Sequence, residues 1–253
     1  MGVSRYLACF GGLLAFCSTL RRDVLCIPYF VFHFIEENEG KWVKPCDKVK
    51  RELLAMGSVA PLLFYSFKSK FALTAFATDA MGENDIDSGG YGVVARKTSL
   101  NMLRDALESG GAPGFTVSRL SGDMTGTKYP NKLLSATKPF SLLHEDWFIN
   151  SEWLPVTSGR WKYSDSIVLG ESRTGTKAVS VLSNFKGCRD HKVITLQDNR
   201  PVSGASAKGR SSSFPLNRSL RRRASLLLSC SLRLLMPWVE SARQPADELS
   251  RIC

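Results

Sequence analysis

The sequence predicts an α/β protein: a mixed sheet flanked by helices, with a helical segment before it and an irregular insertion within it. Three observations carry that expectation. Short apolar runs of strand character recur at 71–78, 91–95, 193–197 and 232–239. Apolar residues at helical spacing fill 166–187 and 216–231 between them. Strands that alternate with crossover helices build a sheet covered by helices.

Residues 1–68 read as helical. Two apolar helices, about 4–20 and 23–37, lead to the turn Asn38-Glu39-Gly40. The first carries Leu7, Phe10, Leu13, Leu14 and Cys17 at helical spacing. Arg5 followed by an apolar run also suits a signal peptide, but the run continues into Arg21-Arg22-Asp23 and a second apolar helix instead of a cleavage loop. It is read as a core helix. Asp47 reads as the N-cap of a third helix with Val49, Leu53, Leu54 and Met56, ending near Gly57.

From 71 the pattern changes. Phe71 to Thr78 is an apolar strand that stops at Asp79, and Tyr91 to Ala95 a second, so 73–95 predicts a hairpin around the turn Gly82 to Gly90. Residues 97–158 hold Gly110, Gly111, Gly114, Gly122 and Gly126 with little periodicity. A structureless stretch of that length is unusual inside a domain, so it reads as a partly ordered insertion in a domain spanning 71–253. Trp161 to Tyr163 is taken as a further strand. A helix runs from Ser166 to Gly187 through Leu169, Ala178, Val179, Leu182 and Phe185, and the strand Val193 to Gln197 ends at Asp198-Asn199. A helix Leu216 to Ser231, a last strand Leu232 to Val239 broken by Pro237, and a terminal helix Ala246 to Cys253 complete the chain.

Composition narrows the function. Of 253 residues, 43% are apolar, enough for a core, and the net charge is +11. Most of that excess lies in 200–243, where nine lysines and arginines face the single acid Glu240. An anionic partner follows, nucleic acid before an acidic membrane surface. No apolar run reaches the ~20 residues that span a bilayer, so no membrane partner is expected. Seven cysteines without a CxxC pair, and three scattered histidines, argue against a zinc site or a disulfide framework. A reducing, intracellular compartment is the expectation.

Four acids stand where chemistry would place them. Asp79 ends the first strand, Glu171 opens the helix after the strands, Asp198 ends the next strand, and Asp247 starts the terminal helix. Taken singly, each has an ordinary role as a turn residue or a first-turn helix acid. Jointly, strand ends and helix starts converge on one crevice in an open α/β sheet. Carboxylates are the ligands Mg²⁺ prefers, and two such ions ~4 Å apart serve phosphodiester hydrolysis. Four clustered acids without cations would repel one another.

The blocks Ala77-Thr78-Asp79-Ala80, Gly89 to Val94, Ile167-Val168-Leu169-Gly170-Glu171 and Leu196-Gln197-Asp198-Asn199 resemble the ribonuclease H module of eukaryotic retrotransposon polyproteins. Lys208 to Ser213 with Leu216-Asn217, then Trp238 to Asp247 with Ser250-Arg251, resemble the end of that module. The resemblance covers about 71–251. Less specifically, Leu20 to Leu25 with Tyr29, Val49 to Leu53 and Pro61-Leu62-Leu63 resemble the connection between polymerase and nuclease, which would make the chain a fragment of a reverse transcriptase. By this resemblance Asp79, Glu171, Asp198 and Asp247 are catalytic and hold two Mg²⁺ ions, or Mn²⁺ in their place. The reaction is cleavage of the RNA strand of an RNA–DNA hybrid, with Lys208, Arg210, Arg218, Arg221 and Arg222 on phosphates. The alternative is a nucleic-acid-binding relic of such an element that has lost catalysis. The chain departs from the family where Asp79 and Glu171 stand 92 positions apart and where Gly170 precedes Glu171 in place of the usual leucine; Gly170 and Gly175 also weaken the helix carrying Glu171 by ~1 kcal/mol each.

Overall fold

In the computed structural model the described residues are 3–64, 66, 68–82, 89–109, 143–148, 152–163, 165–185 and 188–251. Strands β1 (Thr74–Met81) and β2 (Gly90–Lys97) form the expected hairpin, and β3 (Leu154–Arg160) pairs antiparallel with β2. On the other side of β1, β4 (Lys192–Leu196) runs parallel to it and β5 (Arg233–Leu235) parallel to β4. The sheet order is β3-β2-β1-β4-β5, and the architecture is α/β with a five-stranded mixed sheet flanked by helices.

β1 is central, and its six inner residues are all buried. Alternation along a strand sends neighbours to opposite faces. Ala75 and Ala77 join one core with Leu103, Trp147, Ile194 and Leu196; Phe76 joins the other with Val179, Leu182, Val193 and Leu227. The first face is covered by α4 (Leu100–Ser109), the turn Glu145–Trp147 and α8 (Asp247–Arg251). The second is covered by α5 (Ile167–Asn184) and α7 (Phe214–Ser229). A further helix, α6 (Arg200–Lys208), follows β4.

Several sequence expectations are corrected here. The third strand is Leu154–Arg160, not Trp161 to Tyr163. It is an edge strand, where Pro155 is tolerated and only half the side chains need be apolar, so its pattern is faint. The stretch 97–158 is not an irregular insertion throughout: Leu103, Ala106, Leu143 and Trp147 are core residues, and the Trp147 indole N–H donates to Asp105 Oδ2 at 3.1 Å. Residues 110–142, with the five glycines noted above, lie outside the described residues, as does the turn at 83–88. β1 does not stop before Asp79 but runs through it, and β5 is three residues long because Pro237 removes a ladder donor. The basic segment holds two helices, α6 and α7, where one over 216–231 is expected. α6 has a full set of boundary signals, with Asn199 Oδ1 accepting from Val202 N–H, Pro201 in the first turn and Gly209 left-handed at the C-terminus.

The N-terminal segment comprises α1 (Val3–Cys17), a 3-10 turn Arg22–Cys26, α2 (Tyr29–Glu37) and α3 (Asp47–Val59). The helix expected over 23–37 is split at Pro28, and Asp47 is the first residue of α3 rather than its cap. Leu14, Val31, Phe34, Val49 and Met56 form a small core of their own. This unit is fastened to the sheet domain by arginines. Arg21 is 1% exposed and bonds Asp23 and the carbonyl of Leu232, while Arg221 of α7 donates to the carbonyls of Cys26 and Ile27 and to Glu52. Gly209 (φ +70°) lets the chain after α6 press on the Arg22 backbone, where a Cβ would overlap the carbonyl. Among the described residues, no helix is long and apolar enough to cross a membrane.

Candidate metal centre

Asp79 lies near the end of β1, in register with Gly92 of β2 and at the parity of Ala75 and Ala77, so it projects towards α8. Glu171 is the fifth residue of α5, one turn in from the start and not its opening residue. Asp198 follows β4 after Gln197, whose backbone N–H bonds the Pro237 carbonyl at 3.1 Å. Each of the three offers a carboxylate oxygen, and these oxygens lie within 4.8 Å of one another. Three acidic residues, one from β1, one just past the parallel β4 and one from α5, therefore stand close enough to bind a metal ion.

Two of the three acids are buried, Asp198 is half-buried, and the cluster is electrostatically strained. Asp79 is 5% exposed and Glu171 3%. Burial, then the charges of Asp79 and Asp198, push the Glu171 carboxyl up to about 9. Burial also raises Asp79, to about 6, with the Ser250 hydroxyl opposing and Asp198 and Asp247 adding to the rise. A cation would reverse both shifts.

The surrounding bonds orient these acids. Ser250 Oγ donates to Asp79 Oδ2 at 2.5 Å. Gln197 Nε2 donates to Glu171 Oε2 at 2.9 Å, and Gln197 Oε1 accepts from Thr78 Oγ1 at 3.1 Å. α8 reaches Asp79 because it lies on bare backbone: a Cβ on Gly90 would sit 2.4 Å from the Ser250 carbonyl oxygen, and one on Gly92 2.8 Å from the Ser250 nitrogen. The glycines of α5 are less of a weakness than helix propensity suggests. Gly170 packs on β1 with room for a Cβ, whereas Gly175 leaves space for the Arg223 guanidinium, which a Cβ would approach to 3.1 Å.

Asp247, the fourth acid expected from the sequence, lines the same open cavity of about 410 Å³ but is not one of the three mutually close acids. Its Oδ1 accepts from Arg251 Nε at 2.9 Å and Nη2 at 2.8 Å, one helical turn along α8. The fit of the centre to a hard cation rests on one atom above all. Asp198 Oδ1 is buried and, among the described residues, has no hydrogen-bond partner. A buried carboxylate oxygen left without a donor is costly, and an oxygen-seeking divalent ion removes that cost.

The expected phosphate contacts divide. Lys208, Arg210, Arg218 and Arg222 are exposed on α6, α7 and the turn between them. Arg221 is withdrawn from that set, because its guanidinium is turned inward to Glu52 and two carbonyls. Sequence reasoning gave no role to Thr78, Gln197 and Ser250. Thr78 and Gln197 each precede a candidate acid, and alternation along β1 and past β4 was the available signal; Ser250 stood only in the block Ser250-Arg251 of the family resemblance. No protein-family model matches the chain, and no curated protein is similar to it.

Proposed function

We propose that the chain is a ribonuclease H-like nuclease of retroelement origin that hydrolyses the RNA strand of RNA–DNA hybrids. The observation that carries this reading is the convergence of Asp79, Glu171 and Asp198, with the orphaned Asp198 oxygen among them. The strand order β3-β2-β1-β4-β5, with β2 antiparallel to the other four strands, is compatible with that fold. The exposed cations of α6 and α7 supply sequence-independent phosphate contacts, and the 2′-hydroxyls distinguish a hybrid from duplex DNA.

Asp79, Glu171 and Asp198 would hold Mg²⁺ or Mn²⁺, two ions in the fullest form of the site. Such ions, if bound there, would supply a water of lowered pKa and offset charge on the leaving oxygen. The chain's own part is to fix the acids. Ser250 holds Asp79 from α8, Gln197 holds Glu171, and the backbone ladder beyond β4 fixes Asp198. Asp247 lines the same cavity with its Oδ1 in an ion pair with Arg251.

That ion pair also favours a second reading, a nucleic-acid-binding relic with the same fold and no catalysis. Incubation of the full chain with a labelled RNA–DNA hybrid and Mg²⁺ separates the two. The nuclease reading predicts cuts in the RNA strand that EDTA stops. Hybrid binding without cuts, in Mg²⁺ and in Mn²⁺ alike, would leave only the relic.

A further inference from the structure

We propose that Gln197 is a positioning residue of the metal centre, its side-chain amide clamping Glu171 to the two strands that bring Asp79 and Asp198 together. The inference rests on the metal-centre reading above. Gln197 is fully buried, and both ends of its amide are used, the oxygen by the Thr78 hydroxyl and the nitrogen by Glu171 Oε2. Its main chain is pinned as well: the N–H donates to the Pro237 carbonyl at 3.1 Å, and its carbonyl accepts from Val239 N–H at 3.0 Å.

The placement is what separates this bridge from ordinary core polarity. Thr78 immediately precedes Asp79 on β1, and Gln197 immediately precedes Asp198 after β4. The Thr78–Gln197–Glu171 chain therefore runs one residue behind the acids and joins all three elements that carry them. An amide is the suitable side chain, since one planar group offers an acceptor to the hydroxyl and a donor to the carboxylate. Glutamate would turn an oxygen on Glu171, and leucine would offer nothing to either neighbour. Glu171 accepts a second bond from the Ala80 N–H, and a carboxylate with roughly four lone-pair sites still has capacity for a cation. Outer bonds of this kind typically carry 10–100-fold in metal affinity.

The test is calorimetric titration of the full chain with Mn²⁺, on wild type, Gln197→Leu and Thr78→Val. The leucine variant keeps the bulk and removes the donor, and is expected to bind Mn²⁺ about 10-fold or more weakly. Thr78→Val loosens only the far end of the bridge and should weaken binding about threefold in the same direction, so it carries the test if Gln197→Leu does not fold. A lower melting temperature with unchanged Mn²⁺ affinity would mark a merely structural amide and overturn the proposal. Wild type that takes up no Mn²⁺ would overturn both the centre and the clamp. Weakened variants in a protein that never cleaves a hybrid would overturn the nuclease reading alone and leave the clamp standing.

Discussion

At the end of the sheet, carboxylate oxygens of Asp79, Glu171 and Asp198 lie within 4.8 Å of one another, and Asp198 Oδ1 has no donor among the described residues. Along α7 the chain concentrates the opposite charge, with Arg218, Arg221, Arg222 and Arg223 on one helix. The arginines are resolved individually. Arg221 reaches Glu52 and two carbonyls, the buried Arg223 bonds Ser206 Oγ and Met236 Sδ, and Arg218 and Arg222 stay in water. Like charges that separate and find partners are fastenings. Like charges held together, with bonds that orient rather than neutralise them, are a site. Burial sharpens the contrast, since it leaves Arg223 lowered only to about 10 and still charged, whereas it pushes Glu171 to about 9 and into a proton-holding state at neutral pH.

The largest effect should come from the acids. Asp198→Asn keeps the shape and removes the charge; hybrid cleavage should fall roughly a thousandfold or more while hybrid binding stays within about threefold. Single-turnover cleavage beside a filter-binding curve reads both. Equal cleavage by the variant would erase the distinction between the two charge clusters.

Next comes the fastening. Arg221→Ala leaves Glu52, whose side chain is 5% exposed, without its cation, so stability to urea should drop by about 3 kcal/mol. The Mn²⁺ affinity of the folded protein should not change. A loss of hybrid affinity with no loss of stability would return Arg221 to the phosphate-contacting set.

The pH dependence is smaller and has a definite sign. Glu171 is held at about 9 against an ordinary 4.5, and Asp79 at about 6 against 3.8. Between those limits the folded chain binds more protons than the unfolded one. The stability tied to these groups is therefore fully present below pH 3.8 and is lost as pH rises, through about 6 for Asp79 and about 9 for Glu171. Urea midpoints in EDTA at pH 5, 7 and 9 should show this decline, and Mg²⁺ should flatten it. A metal-free midpoint that rises across the range would contradict the clustering.

Smallest is the exposed pair. Arg218→Gln with Arg222→Gln should leave stability within about 0.5 kcal/mol and reduce the salt dependence of hybrid binding by about two counterions. An unchanged salt slope would place the hybrid on another face.

Much of this contrast was legible in the sequence. Alternation and turn residues located β1, β2 and β4, and Asp79 and Asp198 at two strand ends with Glu171 near a helix start anticipated their meeting. β3 was misplaced because an edge strand needs only one apolar face, and Pro155 and Gly159 obscured even that. α4 was absorbed into a supposed insertion because its buried residues, Leu103 and Ala106, look like a short unremarkable pair until Trp147 packs beside them. The division of the arginines was not legible at all. Which of four neighbours on a helix turns inward depends on Glu52, 169 positions away. Ser250 likewise is seen only once Gly90 and Gly92 admit α8 to the sheet.

Where a divalent ion goes is the most direct measure of the three-acid centre. Crystals of the full chain soaked in Mn²⁺ and measured for anomalous scattering should give a peak within coordination distance of the carboxylates of Asp79, Glu171 and Asp198, absent in Asp198→Asn. Strong peaks elsewhere with none between those three side chains would contradict it.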